Sequence, residues 1–183
     1  MPVLRLALAQ INPRLGDFVR NANLICDFVG KAHDAQADIV AFPEMALTGY
    51  PIEDLARRPD FLNDARSALE LIAASIAKAG HGDIVVILGL PTLTHAPQRS
   101  TNPHAISHNS AVVIQHGRVL GQYHKHHLPN YSVFDEARVF VPGESELILN
   151  LGGVSTGFLI CEDLWRFEGP VASLAEHELD AVV

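Results

Sequence analysis

The chain has 183 residues, with 13 Lys+Arg against 21 Asp+Glu and a formal charge of −8 at pH 7. Apolar residues make up 48% and charged residues 19%, enough for a sizeable core and too apolar for a disordered chain. The acidic balance argues against nucleic acid or an anionic membrane surface as the main partner. No run reaches the ~18 apolar residues of a membrane span, and the opening MPVLRLALAQINP lacks the basic and small-residue features of a secretory leader. Two cysteines, Cys26 and Cys161, cannot build a disulfide framework, and no CxxC pair points to zinc. The expectation is one soluble, cytoplasmic domain.

Residues 3–9 alternate in polarity and predict a strand that runs into a loop over 11–16. Asp17 is placed to cap a helix whose apolar set is Leu24/Ile25, Phe28/Val29 and Ala32, so Cys26 reads as part of a packed helix. Residues 39–42 form a short apolar run of the kind buried on both faces of a sheet. Pro43, lacking an N–H, ends it. With Gly49, Pro51 and Pro59, residues 45–60 read as irregular loop. A second amphipathic helix follows from Phe61, its stripe being Phe61/Leu62, Ala65, Leu69, Ile72 and Ile76. Residues 84–88 predict another buried strand, closed by Gly89 and Pro91.

Residues 95–108 are polar and read as a surface excursion. Strands over 112–115 and 119–123 flank His116-Gly117-Arg118, a hairpin with Gly at its turn. Residues 128–143 show no clear period, 147–149 and 156–160 read as strands, and 169–177 as a short helix. The whole is an α/β layered fold. The ending Leu179-Asp180-Ala181-Val182-Val183 resembles Ala37-Asp38-Ile39-Val40-Ala41, an acidic residue leading into a buried strand. We therefore expect the domain to continue past residue 183.

Three apolar runs are each followed at once by reactive residues: Pro43-Glu44 after the first, His124-Lys125-His126-His127 after the second, Cys161-Glu162-Asp163 after the third. Sites in open α/β sheets lie off the carboxyl ends of strands, so Glu44, Lys125 and Cys161 can converge. Taken singly, each has an ordinary explanation: a solvated carboxylate, a surface lysine, a small buried thiol. Tyr131 and Trp165 can equally be packing aromatics. The ten histidines, above all His124, His126 and His127, raise a metal reading, but no HExxH or Cys/His spacing supports it. Leu151-Gly152-Gly153-Val154 lacks the spacing and the Lys of a phosphate loop.

Together the segments resemble the nitrilase superfamily of carbon–nitrogen hydrolases, whose members carry Glu, Lys and Cys in that chain order. The likeness is closer to one branch, the amidase (glutaminase) domain of glutamine-dependent NAD+ synthetases. It is carried by Phe42-Pro43-Glu44-Met45-Ala46-Leu47-Thr48-Gly49-Tyr50-Pro51, Leu128-Pro129-Asn130-Tyr131-Ser132-Val133-Phe134-Asp135-Glu136 and Ile160-Cys161-Glu162-Asp163-Leu164-Trp165. It extends from Val3 to the end of the chain.

The resemblance implies a nitrilase-like αββα sandwich of four layers, incomplete at its C-terminus, as a single domain over residues 1–183. By the same resemblance Cys161 is the nucleophile and Glu44 the general base, while Lys125 and the backbone N–H of Glu162 stabilise the oxyanion. Glu136 is an auxiliary carboxylate, Tyr131 lies beside bound glutamine, and Trp165 helps to wall the pocket. His126 and His127 have no assigned role. Ser132 stands where relatives often carry Gly. No metal or cofactor serves the glutaminase step. ATP, Mg2+ and deamido-NAD+ belong to a synthetase domain absent from this chain. The implied partners are L-glutamine, that synthetase domain in the same parent chain and further copies of the parent in a homo-oligomer, with no nucleic acid and no membrane.

Two other readings remain open at this stage. One is a nitrilase-type amidase acting on another small amide. The other is a non-catalytic structural fragment.

Overall fold

The computed structural model describes residues 3–94 and 104–183. The strands and helices fall in the order β1 (Leu6–Leu8), α1 (Phe18–Asp34), β2 (Ile39–Ala41), α2 (Pro59–Lys78), β3 (Val85–Leu93), β4 (Ser107–Gln115), β5 (Arg118–His124), α3 (Glu136–Val139), β6 (Ile148–Leu151), β7 (Val154–Gly157), α4 (Pro170–Leu174) and β8 (Ala181–Val182). Two 3-10 turns, Glu53–Arg57 and Cys161–Trp165, lie between them. Among the described residues, no helix is long and apolar enough to cross a membrane.

β1 to β5 form one sheet in sequence order, and β6, β7 and β8 form a second. β1, β2 and β3 run parallel, which the βαβ spacing through α1 and α2 requires. β4 and β5 return antiparallel. One face of the large sheet (Val40, Val86, Leu88, Val112, Ile114) packs on the apolar stripes of α1 and α2, including Ile25, Val29, Leu69, Ile72 and Ile76. Its other face (Ile39, Val85, Ile87, Val113, Tyr123) packs on Leu151 of the second sheet and on Phe158 and Ile160 just beyond β7. Cys26 is half-buried at the margin of the helix-side core. Over β7, Leu174 of α4 comes so close to Gly157 that a Cβ there would lie 3.1 Å from Cδ2 of Leu174. The layers are thus helices, sheet, sheet, and α4 outside. This is an α/β sandwich with the layer order that the resemblance implies.

Asp17 caps α1 as its position predicts, accepting from the N–H of Arg20. β1 is shorter than the alternation suggests, because its beginning is held by a side chain: Asp38 accepts from the N–H of Arg5 at 2.7 Å. Gly89 and Pro91 do not end β3, which runs on to Leu93. Its β2 partner stops at the residue opposite Ile87, so Pro91 leaves no N–H unpaired on that side while β4 pairs with the other. Residues 95–103 of the polar excursion lie outside the described residues, but Ser107 and His108 belong to β4. Phe158, Leu159 and Ile160 carry the chain on beyond β7, with Leu159 donating to the carbonyl of Val183. Leu151-Gly152-Gly153-Val154 is the tight turn of the β6–β7 hairpin, with φ of 61° and 88° at its glycines.

One irregularity decides the site. In the β4–β5 ladder, Val113 pairs with Gly121 but Ile114 with Val119, so Leu120 is an extra, bulged residue. A one-residue slip exchanges the faces of a strand. Beyond the bulge Tyr123 therefore points with Ala111 towards the second sheet, and the chain continues to Lys125 on that same face.

Candidate active site

Glu44 follows β2 on a loop that turns because Pro43 cannot continue the ladder. The loop stays tied to β3: Phe42 donates to the Ile87 carbonyl at 2.9 Å and Leu47 to the Gly89 carbonyl at 3.1 Å. Gly89 makes this approach sterically feasible. A Cβ there would lie 2.5 Å from the Pro43 oxygen, 2.6 Å from the Met45 nitrogen and 2.9 Å from the Glu44 Cα. Glu44 is thereby held over the sheet end with its side chain 21% exposed.

Lys125 follows β5, and its backbone N–H donates to the Asn109 carbonyl at 2.8 Å. Its side chain is fully buried. Nζ lies 2.8 Å from Oε1 of Glu44 and 2.9 Å from Oε2 of Glu136. Asn109 Nδ2 donates to both carboxylates, to Glu44 Oε1 at 2.5 Å and to Glu136 Oε2 at 3.4 Å. Its Oδ1 is buried without a hydrogen-bond partner among the described residues. Turning the amide over would set that oxygen against the carboxylates, so the cluster fixes its orientation. Tyr50 completes the set, its hydroxyl donating to Glu136 Oε1 at 2.9 Å.

Cys161 opens the 3-10 turn and is exposed, with a φ of 46° in the left-handed region. Such a backbone conformation costs an ordinary residue on the order of 1 kcal/mol and persists where its surroundings enforce it. Cys161 and Glu44 line one cavity of about 240 Å³ with Phe42, Gly89, Leu159 and Ile160. All three predicted catalytic residues thus reach one end of the sheets. Glu44 stands between the other two, touching Lys125 directly and sharing the cavity with Cys161.

The charges follow from burial and neighbours. Burial works against the Lys125 charge, but Glu44 and Glu136 more than compensate and hold its pKa above the usual lysine value. Burial first, then the Glu44 charge, push the Glu136 carboxyl up, with Lys125 and Tyr50 pulling the other way. The Cys161 thiol is pushed up by burial and then by Glu44, against the pull of Lys125 and of the Glu162 N–H. At neutral pH Cys161 therefore rests as a thiol, and Glu44 is the carboxylate at its cavity.

Tyr131 is 53% exposed and donates through its hydroxyl to Glu162 Oε2 at 2.7 Å. Glu162 is also held by Arg166, and both contacts, Tyr131 first, lower its carboxyl pKa. Trp165 is 75% exposed and is not among the residues lining the cavity. His124 bonds Ser110 and stacks on His108, His126 stacks on Tyr123, and His127 bonds the Glu168 carbonyl. The three rings thus have different surroundings, and no group of His, Cys, Asp or Glu able to hold a metal occurs among the described residues.

Asn109 escapes a sequence-only reading, while Tyr50 and Asp163 lie in the motifs that carry the resemblance without a role assigned to them. A signal for Asn109 exists in the hairpin, since extending the ladder through the bulge places it beside Lys125. The Asp163 carboxylate is fully buried within the turn that carries Cys161.

Fold and cavity define the class, an enzyme built on the nitrilase-type sandwich. Residues 5–183 match the carbon–nitrogen hydrolase family, and the chain belongs to that family. It is 39% identical over 178 residues to the glutamine-dependent NAD(+) synthetase of Thermotoga maritima, covering 97% of this chain and 29% of that protein. The structure of the glutamine-dependent NAD+ synthetase from Acinetobacter baumannii, in complex with ADP, superposes with a TM-score of 0.83 at 36% identity, covering 98% of this chain and 31% of that one. A variant of the amidase from Nesterenkonia sp. AN1, with acrylamide added at its active-site cysteine, superposes with a TM-score of 0.69 at 28% identity over 88% of this chain and 59% of that one. The chain spans about 30% of the length of these synthetase relatives.

Proposed function

We propose that this chain hydrolyses the side-chain amide of glutamine through a Cys161 thioester and supplies ammonia to a synthetase domain. That domain would use ATP, Mg2+ and deamido-NAD+ to form NAD+. The observation that carries the reading is the placement of Glu44 between the buried Lys125 ammonium and the cavity that holds Cys161.

Glu44 takes the thiol proton as sulfur attacks the amide carbon. Lys125 and the Glu162 N–H receive the charge that builds on oxygen, and loss of one such donor costs about 3 kcal/mol, roughly a hundredfold in rate. As the C–N bond breaks, Glu44 returns a proton to the departing ammonia. It then takes one from the water that opens the thioester, releasing glutamate and restoring the thiol. Lys125 remains protonated throughout, because its two carboxylates hold its pKa high. Tyr131 does not line the cavity of Cys161 and Glu44, and its hydroxyl is held by Glu162; its place beside the substrate rests on the resemblance alone. Similarity to the glutamine-dependent synthetases favours glutamine.

Similarity to an amidase supports a second reading, hydrolysis of another small amide. Turnover of glutamine against a panel of unrelated linear amides separates the two. A higher kcat/KM for glutamine, with a mass adduct from an electrophilic glutamine analogue on Cys161 alone, supports the proposal. Preference for the other amides overturns the substrate. Glutamine turnover that survives Cys161→Ala overturns the nucleophile.

A further inference from the structure

Asp163 lies two residues after Cys161, in the same 3-10 turn, and is fully buried. Its carboxylate accepts four hydrogen bonds from two distant stretches of chain. Oδ1 accepts from the backbone N–H of His127 at 2.8 Å and of His126 at 3.2 Å. Oδ2 accepts from the Tyr123 hydroxyl at 2.8 Å and from the backbone N–H of Ile160 at 3.2 Å. All four donors are neutral. Removing a carboxylate from water is costly unless its oxygens are satisfied, and bonds to a charged acceptor are the stronger kind.

The partners show what this arrangement does. His126 and His127 directly follow Lys125, and Tyr123 precedes it by two residues on the same face of β5. Ile160 directly precedes Cys161. One side chain therefore clamps the stretch that carries the lysine to the turn that carries the thiol. The left-handed backbone of Cys161 needs such enforcement, and Asp163 bonds the N–H at its threshold. The clamp fixes how Cys161 stands relative to Lys125, whose charge draws the thiol pKa down against burial and Glu44.

Resting on Cys161 as nucleophile, we propose that Asp163 is a positioning residue that sets the spacing of Cys161 and Lys125, with Tyr123 as its anchor. It touches neither substrate nor the reacting atoms. Asp163→Asn keeps the shape but turns an N–H₂ group towards donors on one side. A displacement of about 1 Å at a reacting centre typically costs a hundredfold in rate.

The test is made on the whole protein with two readouts. One is iodoacetamide alkylation of Cys161 against pH, located by peptide mass. The other is glutamine turnover split into kcat and KM. For folded Asp163→Asn we expect the alkylation profile to move to higher pH and kcat to fall about a hundredfold, with KM changed less than about threefold. Tyr123→Phe removes one donor of the four, and the same changes are expected in smaller measure, about threefold to tenfold in kcat. A purely structural role would lower the melting temperature and leave both the alkylation profile and kcat per folded molecule unmoved. That outcome overturns the proposal. If Asp163→Asn does not fold, an unshifted profile and unchanged kcat in Tyr123→Phe overturn it equally. Because alkylation needs no glutamine, the inference can fail or stand separately from the choice of substrate.

Discussion

Lys125 Nζ and Glu44 Oε1 meet at 2.8 Å although the residues lie 81 positions apart in the chain. Glu44 also faces Cys161, and its charge raises the thiol pKa while that of Lys125 lowers it. The two partners therefore act on the Cys161 thiol with opposite sign.

That opposition predicts two shifts from a single experiment. Alkylation of Cys161 by iodoacetamide, followed against pH, reports the thiolate fraction. In the wild-type protein its midpoint lies above the ordinary thiol value. Glu44→Gln moves the midpoint down, because a negative neighbour is lost, and yet on the proposed mechanism it abolishes amide turnover, because the base is lost. Lys125→Met moves the midpoint up and also abolishes turnover. Equal shifts of the same sign in both variants would sink the assignment of these charges.

Lys125→Met should also destabilise the fold in a pH-dependent way. It leaves Glu44 and Glu136 facing each other without their cation, and breaking a buried pair of this kind costs about 3 kcal/mol. Glu136 already has its carboxyl pKa raised in the fold, by burial first and by Glu44 next, and losing Lys125 raises it further. A carboxylate whose folded pKa lies above its unfolded one lends stability below the unfolded value and loses it as pH rises through the folded value. The stability gap to wild type is therefore small near pH 4 and widens towards neutrality. Urea unfolding at a series of pH values measures it, and a gap that stays constant or narrows would refute the argument.

Both helices were legible because each rests on a local pattern, whereas the layers and the Glu44, Lys125, Cys161 set were implied by the resemblance that three short motifs carry together. Ile25, Val29 and Ala32, then Leu62, Ala65, Leu69, Ile72 and Ile76, recur at helical spacing, and they are the buried faces. Asn109 was not legible, because a polar residue in the run Ser107-His108-Asn109-Ser110 looks like loop until β5 supplies its partner. The face that Lys125 takes depends on the bulge at Leu120, and a bulge leaves no composition signal. Asp163 is a carboxylate beside exposed Trp165 and Leu164 in sequence. Its complete burial follows only from the meeting of β5 with the Cys161 turn. Pairings across distant segments decide these residues, and they are tertiary facts.

Ser132 offers a test of local strain. Its φ is 55°, in the left-handed region. Gly adopts that conformation without a Cβ clash, a gain of about 1 kcal/mol, part of which its freer unfolded chain takes back. Ser132→Gly should raise the unfolding free energy by about 0.5 kcal/mol and leave the Cys161 alkylation profile unchanged. A loss of stability would show that the serine hydroxyl makes a stabilising contact.

Gly89 is the position where a single methyl group should separate fold from site. In Gly89→Ala the new Cβ meets the Pro43 oxygen, the Met45 nitrogen and the Glu44 Cα. These are backbone atoms and cannot swing aside as a side-chain end can. Either β3 shifts away from its neighbour β2 or the Glu44 loop lifts. The loop is tied to β3 by two backbone bonds, from Phe42 and Leu47, whereas β3 is buried on both faces. The loop should therefore give way. Overpacking of this kind costs about 1–3 kcal/mol in stability. Lifting Glu44 from Lys125 and from the cavity should cost at least a hundredfold in amide turnover. It should also lower the pH midpoint of Cys161 alkylation, as Glu44→Gln does, because the negative charge moves away. Wild-type turnover and an unmoved midpoint in Gly89→Ala would show that the close approach of β3 is not what holds Glu44 in place.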